Sequence, residues 1–234
     1  LRSRSAARDQ RMRDVLSVRQ GDISKVFPSM FSEEYPKPLV ANFIDVAARD
    51  LAEAMAPLPS FNCSATNMVS DAARKAADTR TRIANFYVTN SDLQLQMYTA
   101  ADWYNTYGLG IGMVEMDYDD NNPRIRMLNP FGTYPELDRY GHVLSVMQVI
   151  VTDAETLAAQ YPEYYDLILG RNQYALSSPY ISMVKYHDKD QDLLYLPERK
   201  NLVLSRTPNI LGKPMGSVVM RSSLDGEARG QFDD

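Results

Sequence analysis

The chain has 234 residues, 44% of them hydrophobic and 24% charged, with a net charge of −5. That balance lies far from the disordered class, provides enough apolar side chain for one large core or two small ones, and makes no whole-chain case for binding nucleic acid. A single cysteine, Cys63, excludes an intrachain disulfide and a cysteine-based zinc site, and no apolar run approaches membrane-spanning length.

The first twenty residues carry six arginines (Arg2, Arg4, Arg8, Arg11, Arg13, Arg19) against Asp9 and Asp14. Charge runs of this kind are usually solvated, which predicts a partly ordered arm; the functional alternative is an arm that touches an acidic partner or nucleic acid. The stretch from Tyr35 to Pro59 is the clearest helix. Pro36 and Pro38 punctuate its start, and Pro57 and Pro59 its end. Leu39, Phe43, Ala47, Leu51 and Met55 recur every fourth residue as one apolar stripe, while Asp45, Arg49 and Glu53 form a charge ladder at the same spacing.

"FNCSA" (61–65) reads as a short strand. A helix from Met68 to about Asn85 follows, with Arg74, Lys75, Arg80 and Arg82 on its polar surface. Another, capped by Asn90 or Ser91, runs to about Tyr107. From Gly110 the texture changes to short strands. "IGMVEMDYD" and "RIRML" flank the turn signal "DDNNP" and predict a hairpin. "NPFGTYPELDRYG" reads as a loop. "HVLSVMQVIVT" is a long β-branched strand. "DAETLAAQYPEYYDLILG" supplies one or two short helices, with Thr152 or Asp153 as the cap and Gly170 as the stop. "YISMVKYHD", "DLLYLP", "NLVLSRTPN" and "GSVVMRS" are four further strands. A helical first half and a strand-rich second half predict an α+β fold. Thirteen of the 15 tyrosines lie at or beyond Tyr98, a distribution that suits strands and subunit contacts alike. The chain opens on Leu1 and closes in "GEARGQFDD", which does not look like the end of a finished domain, so the sequence is expected to be part of a longer gene product.

None of the chemical motifs survives inspection. "GLGIG" (108–112) has a helix before it and a strand after it, the reverse of a dinucleotide fingerprint, and no GK[ST] phosphate loop occurs anywhere. Its reading is structural: Gly108 as a left-handed helix cap, Gly110 and Gly112 as room for a close backbone. Asp117, Asp119 and Asp120 lack the Gly and Glu of a calcium loop. His142 and His187 lie on strand candidates without a ligand at metal spacing. No G-x-S-x-G elbow is present, and Cys63 reads as a small packing residue. No catalytic, cofactor-binding or metal-ligating residue is assigned, no cofactor is expected, and the chain is not expected to be an enzyme.

Several stretches together resemble the portal proteins of tailed bacteriophages, above all the long-tailed phages of actinobacteria. One is "KPLVANFIDVAARDLAEAMAPLP". A second is "YNTYGLGIGMVEMDYDDNNPRIRMLNPFGTYPELDRYGHVLSVMQV", in which an apolar helix, a Gly-rich entry, a hairpin, a proline-bearing loop, an acidic "ELD", a turn glycine and a long strand follow in order. A third is the terminal "LDGEARGQFDD", which is similar to the approach to the family's tunnel-lining helices. No piece is diagnostic by itself; the likeness lies in their order, from about Asp14 to the end.

The resemblance implies a structural subunit of a ring of twelve identical copies at one capsid vertex. The ring is the conduit for DNA packaging and ejection and the seat of the terminase motor and the head–tail connector. Its implied partners are further copies of itself, the major capsid protein, the terminase large subunit, head–tail connector proteins and double-stranded DNA passing through without sequence preference, but no membrane. The implied location is the portal vertex of the virion, after assembly in the bacterial host cytoplasm. On this reading residues 1–35 are a basic arm and first helix, 36–107 the helical part of a portal wing, 108–223 its strand-rich part, and 224–234 the start of the approach to the stem, with the long stem helices expected after the end of this chain. Arg2, Arg4, Arg8, Arg11 and Arg13 become candidate contacts to capsid or neighbouring subunit. Two alternatives stay open: another virion protein such as a head–tail adaptor or head-completion protein, and an enzyme with an unrecognised site.

Overall fold

The computed structural model describes residues 5–26, 28, 43–58, 60–67, 69–117, 122–170, 179–209, 212–214 and 216–220. The fold is α+β, as the order of patterns predicts. The chain forms two compact units. One comprises Ala7–Pro130 together with the strand that follows Gly216, and the other comprises Phe131–Gly216. The change from helix to strand near residue 108 therefore falls inside a unit.

The first unit starts with α1 (Ala6–Arg19) and the one-turn α2 (Ile23–Val26). The basic arm is thus helical from Ala6, with Met12 and Asp9 buried. α3 (Phe43–Met55), α4 (Asp71–Asn90) and α5 (Leu93–Tyr107) follow. Leu39 of the predicted stripe lies outside the described residues. The remainder of that stripe does not face a core: Phe43 is 77% exposed, Leu51 and Met55 are exposed, and the one buried residue of α3 is Ala52. Ala56, just past the helix, is buried as well. α3 packs on α5, and the larger apolar side chains of its stripe are turned outward.

The expected strand at 61–65 is not formed. That stretch runs as extended coil alongside α4, where the Cys63 N–H donates to Thr81 Oγ1 at 2.9 Å, so a helix side chain stands where a neighbouring strand would have to be. α4 starts three residues later than the pattern predicts because Ser70 caps it, its hydroxyl accepting from the Ala73 N–H. Replacing Ser70 by Ala is expected to weaken this helix start by about 1 kcal/mol. The readout is faster amide exchange over the first turn of α4, with α5 unchanged. The expected cap of α5 is also corrected. Asn90 ends α4, Ser91 is its C-cap, and Asp92 precedes α5 in a left-handed conformation (φ 48°) without a capping bond.

β1 (Leu109–Asp117) and β2 (Asn122–Leu128) form the predicted antiparallel hairpin, with Ile111 opposite Leu128 and Asp117 opposite Asn122. Leu109, Ile111 and Met113 alternate into the core. A last strand, β8 (Gly216–Met220), completes a three-stranded sheet in the order β2-β1-β8. Pro123 is tolerated because β2 is an edge. The helices finish that edge. Gln96 of α5 donates to the Ile125 carbonyl at 2.9 Å and accepts from the Met127 N–H at 2.8 Å, and Ser91 Oγ accepts from the Ile125 N–H at 2.9 Å. Three backbone groups that a bare edge would offer to another chain are thereby satisfied.

The second unit is a five-stranded antiparallel sheet in the order β3-β4-β5-β6-β7, formed by β3 (Thr133–Leu137), β4 (Val143–Asp153), β5 (Tyr180–Asp188), β6 (Gln191–Leu196) and β7 (Leu202–Pro208). β3 corrects the expected loop at "NPFGTYPELDRYG". Pro135 hides it from pattern reading, and Pro135 is accepted there because β3 is an edge strand. α6 (Ala154–Gln160) and α7 (Tyr165–Leu169) follow β4. Asp153 caps α6, accepting from the Thr156 N–H at 2.8 Å, and Gly170 stops α7 with φ 64°. Leu157, Ile168, Ile181 and Leu196 centre the core that these helices share with the sheet.

Candidate functional site

The arginine candidates fall into three groups. Arg2 and Arg4 lie outside the described residues. Arg8 is committed to its neighbour Asp9, with Nη2 to Oδ1 at 2.9 Å. Arg11 and Arg13 lie exposed on α1, and Arg13 donates to Gln10 on the preceding turn. The structure brings none of the described candidates together into one site.

The arginine left out of that set is the most engaged. Arg19, at the end of α1, reaches two other helices. Its Nε donates to Asp45 Oδ1 of α3 at 2.7 Å, its Nη2 pairs with Asp102 Oδ1 of α5 at 2.7 Å, and its Nη1 donates to Thr106 Oγ1. Thr106 in turn donates to the Asp102 carbonyl, and Arg49 takes the second oxygen of Asp45 at 2.8 Å. The Asp102 carboxylate raises the Arg19 pKa above the ordinary arginine value; partial burial opposes this, and Asp45 adds to the rise. Burial also pushes the Tyr107 phenol up, with Arg19 opposing. A recess of about 340 Å³ opens here, walled in part by Trp103 and Tyr107. Two cations meet two carboxylates in mutual pairs, so the recess offers little net charge to an ionic ligand. The cluster is a three-helix clasp.

The other chemical readings resolve locally. In "GLGIG", Gly108 is the predicted left-handed cap of α5 (φ 73°), its N–H donating to Tyr104 O. The role given to the other two glycines is corrected: a Cβ on Gly110 would meet nothing within 4 Å, and one on Gly112 would meet the Met127 thioether, not a backbone. Asp119 and Asp120 lie outside the described residues. Among the described residues no group of three His, Cys, Asp or Glu side chains is placed to hold a metal ion. His142 lies in the turn before β4, not on a strand, and its Nδ1 meets Asp138 Oδ2 at 2.9 Å. This contact, ahead of the turn's backbone N–H groups, holds the Asp138 carboxyl below its usual range. His187 lies buried on β5 with Asp192 of β6 as partner. Cys63 is half-buried, in coil. No described helix is long and apolar enough to cross a membrane.

What the first unit presents outward is apolar surface on helices. α3 exposes Phe43, Ile44, Val46, Leu51 and Met55. α4 buries one residue, Ala77, of twenty and exposes Ile83 and Phe86. Near the start of α5, Leu95 and Tyr98 border a groove of about 470 Å³ with Glu53 and Asp92. The apolar stripe of α3 is visible in the sequence, but its outward direction is not. The period of a stripe locates a face, but it does not say which way the face points. No protein-family model matches the chain, and no curated protein is significantly similar to it.

Proposed function

We propose that the chain is a structural subunit of a phage portal ring, in which it contributes the outer, wing-like part of a conduit for DNA packaging and ejection. The observation that carries an assembly role is the outward-facing apolar surface of α3 and α4. Apolar faces of this extent on a folded chain mark contacts with other macromolecules. The order of pieces from "KPLVANFIDVAARDLAEAMAPLP" to "LDGEARGQFDD" supports the portal version of that role. A closed ring needs two different faces per subunit, because each copy meets its neighbours head to tail. The further partners proposed with this reading are the capsid protein, the terminase motor, the connector proteins and passing DNA.

End-on negative-stain electron microscopy of the purified gene product is the test. Closed rings with a central channel and near-twelvefold symmetry are the expected result. A uniform monomer at all concentrations would remove the reading, and assembly only in the presence of capsid protein would replace it with the adaptor reading.

A further inference from the structure

We propose that neighbouring copies meet through α3 of one and α4 of the next, packed antiparallel as a short two-helix coiled coil. This rests on the ring reading and adds to it which faces touch. On α4 the exposed residues Ala72, Ala76, Thr79, Ile83 and Phe86 are spaced four, three, four and three apart, the a/d repeat of a coiled-coil seam. Lys75 and Arg82 are exposed and fall at successive g positions beside that seam. On α3 the exposed residues Ile44, Ala47, Leu51 and Ala54 carry the same spacing, and Asp50 falls at g. In the antiparallel register that sets Ala54 opposite Ala76, Leu51 meets Thr79, Ala47 meets Ile83 and Ile44 meets Phe86, so every layer pairs one exposed seam residue with another.

Charge selects the pairing. The one arginine of α3, Arg49, is exposed but paired with Asp45, so Asp50 and Glu53 give the outer face of that helix its acidic sign. The g flank of α4 is basic. Two α4 seams brought together would oppose Lys75 and Arg82 to like charges, and two α3 seams would oppose Asp50 to itself. The mixed pair alone sets acid against base. In an antiparallel pair the g flanks face each other, which fixes the relative direction. Both faces belong to one unit of the same chain, so each copy presents one acidic and one basic seam. That is the arrangement a head-to-tail contact requires.

The test uses the chain with Cys63→Ser as background. One preparation carries Ala54→Cys and a tag, another carries Ala76→Cys without the tag, and a short bismaleimide reports proximity. Cross-linking in the mixture but in neither preparation alone is expected. Independently, Lys75→Glu with Arg82→Glu is expected to weaken self-association about tenfold, and added Asp50→Lys and Glu53→Lys to restore it. Rings that form unaffected by the charge changes, without the mixed cross-link, would overturn this contact and leave the ring reading standing. Cross-links within either single preparation would also overturn it, in favour of a symmetric dimer. A chain that stays monomeric in every preparation would overturn both.

Discussion

Replacing Arg19 by Ala is expected to lower the stability of the first unit by about 2–3 kcal/mol. Breaking a buried pair by removing one partner typically costs 3–5 kcal/mol, because the other charge is left without compensation. The lower figure applies here because Asp45 keeps Arg49, and because the side chains of Arg19, Asp45 and Asp102 retain 13%, 20% and 23% of their exposure, which admits some solvent screening. Asp102 is the residue that suffers: it loses its ion pair while its position in α5 is unchanged. Arg19→Met combined with Asp102→Leu is therefore expected to recover part of the loss, since an apolar pair of similar volume removes the stranded charge. Trp103, the chain's one tryptophan, borders the clasp and makes its fluorescence a local reporter of urea unfolding. An Arg19→Ala midpoint equal to that of the parent would show that the three helices hold together without the clasp.

Gly132→Ala is expected to be at least as damaging to the second unit, at about 2–5 kcal/mol. Gly132 sits at φ +80°, where a side chain costs roughly 1–2 kcal/mol through its own backbone. An added Cβ would also lie 2.8 Å from the Val149 carbonyl oxygen. That oxygen belongs to β4, and the Gly132 carbonyl accepts from the Val149 N–H at 2.7 Å, so neither backbone can move aside without losing the bond that starts the β3–β4 pair. Overpacking of this kind adds about 1–3 kcal/mol. Gly141 supplies the control. It has the same sign of φ (+85°) but nothing within 4 Å of an added Cβ, so Gly141→Ala isolates the backbone cost at about 1–2 kcal/mol. Amide exchange along β4 is the measurement. Equal effects of the two substitutions would show that the carbonyl contact relaxes freely.

The strand-rich half was largely legible. β4 to β8 follow the β-branched and aromatic runs to within a few residues, because those side chains fit a pleated surface. Asp153 and Gly170 announce the ends of the helical insertion by chemistry that acts within one turn. What failed was every feature fixed at long range. β3 is a strand because β4 lies beside it, and its own Pro135 argues against it. Residues 61–65 are apolar enough for a strand but have α4 as neighbour. Arg19 meets Asp45 across 26 positions, and nothing near it in sequence marks it from the five arginines before it. The stripe on α3 was visible, but its direction was not. It is Ala52 and Ala56 that are buried there, while Leu51 and Met55 lie exposed.

The joint between α4 and α5 has a mechanical meaning. Ser91 is buried and fastened to β2, and Asp92 makes the chain turn in a single left-handed step, so one end of α4 is rooted in the sheet. Along the rest of the helix one side chain, Ala77, is buried, and Thr81 ties the coil at 61–65 to it. Twenty helical residues make a rod about 30 Å long. A swing of about ten degrees at the root would therefore carry the Ser70 end roughly 5 Å while the hairpin stays in place. α4 is in this sense a lever with its fulcrum at Ser91.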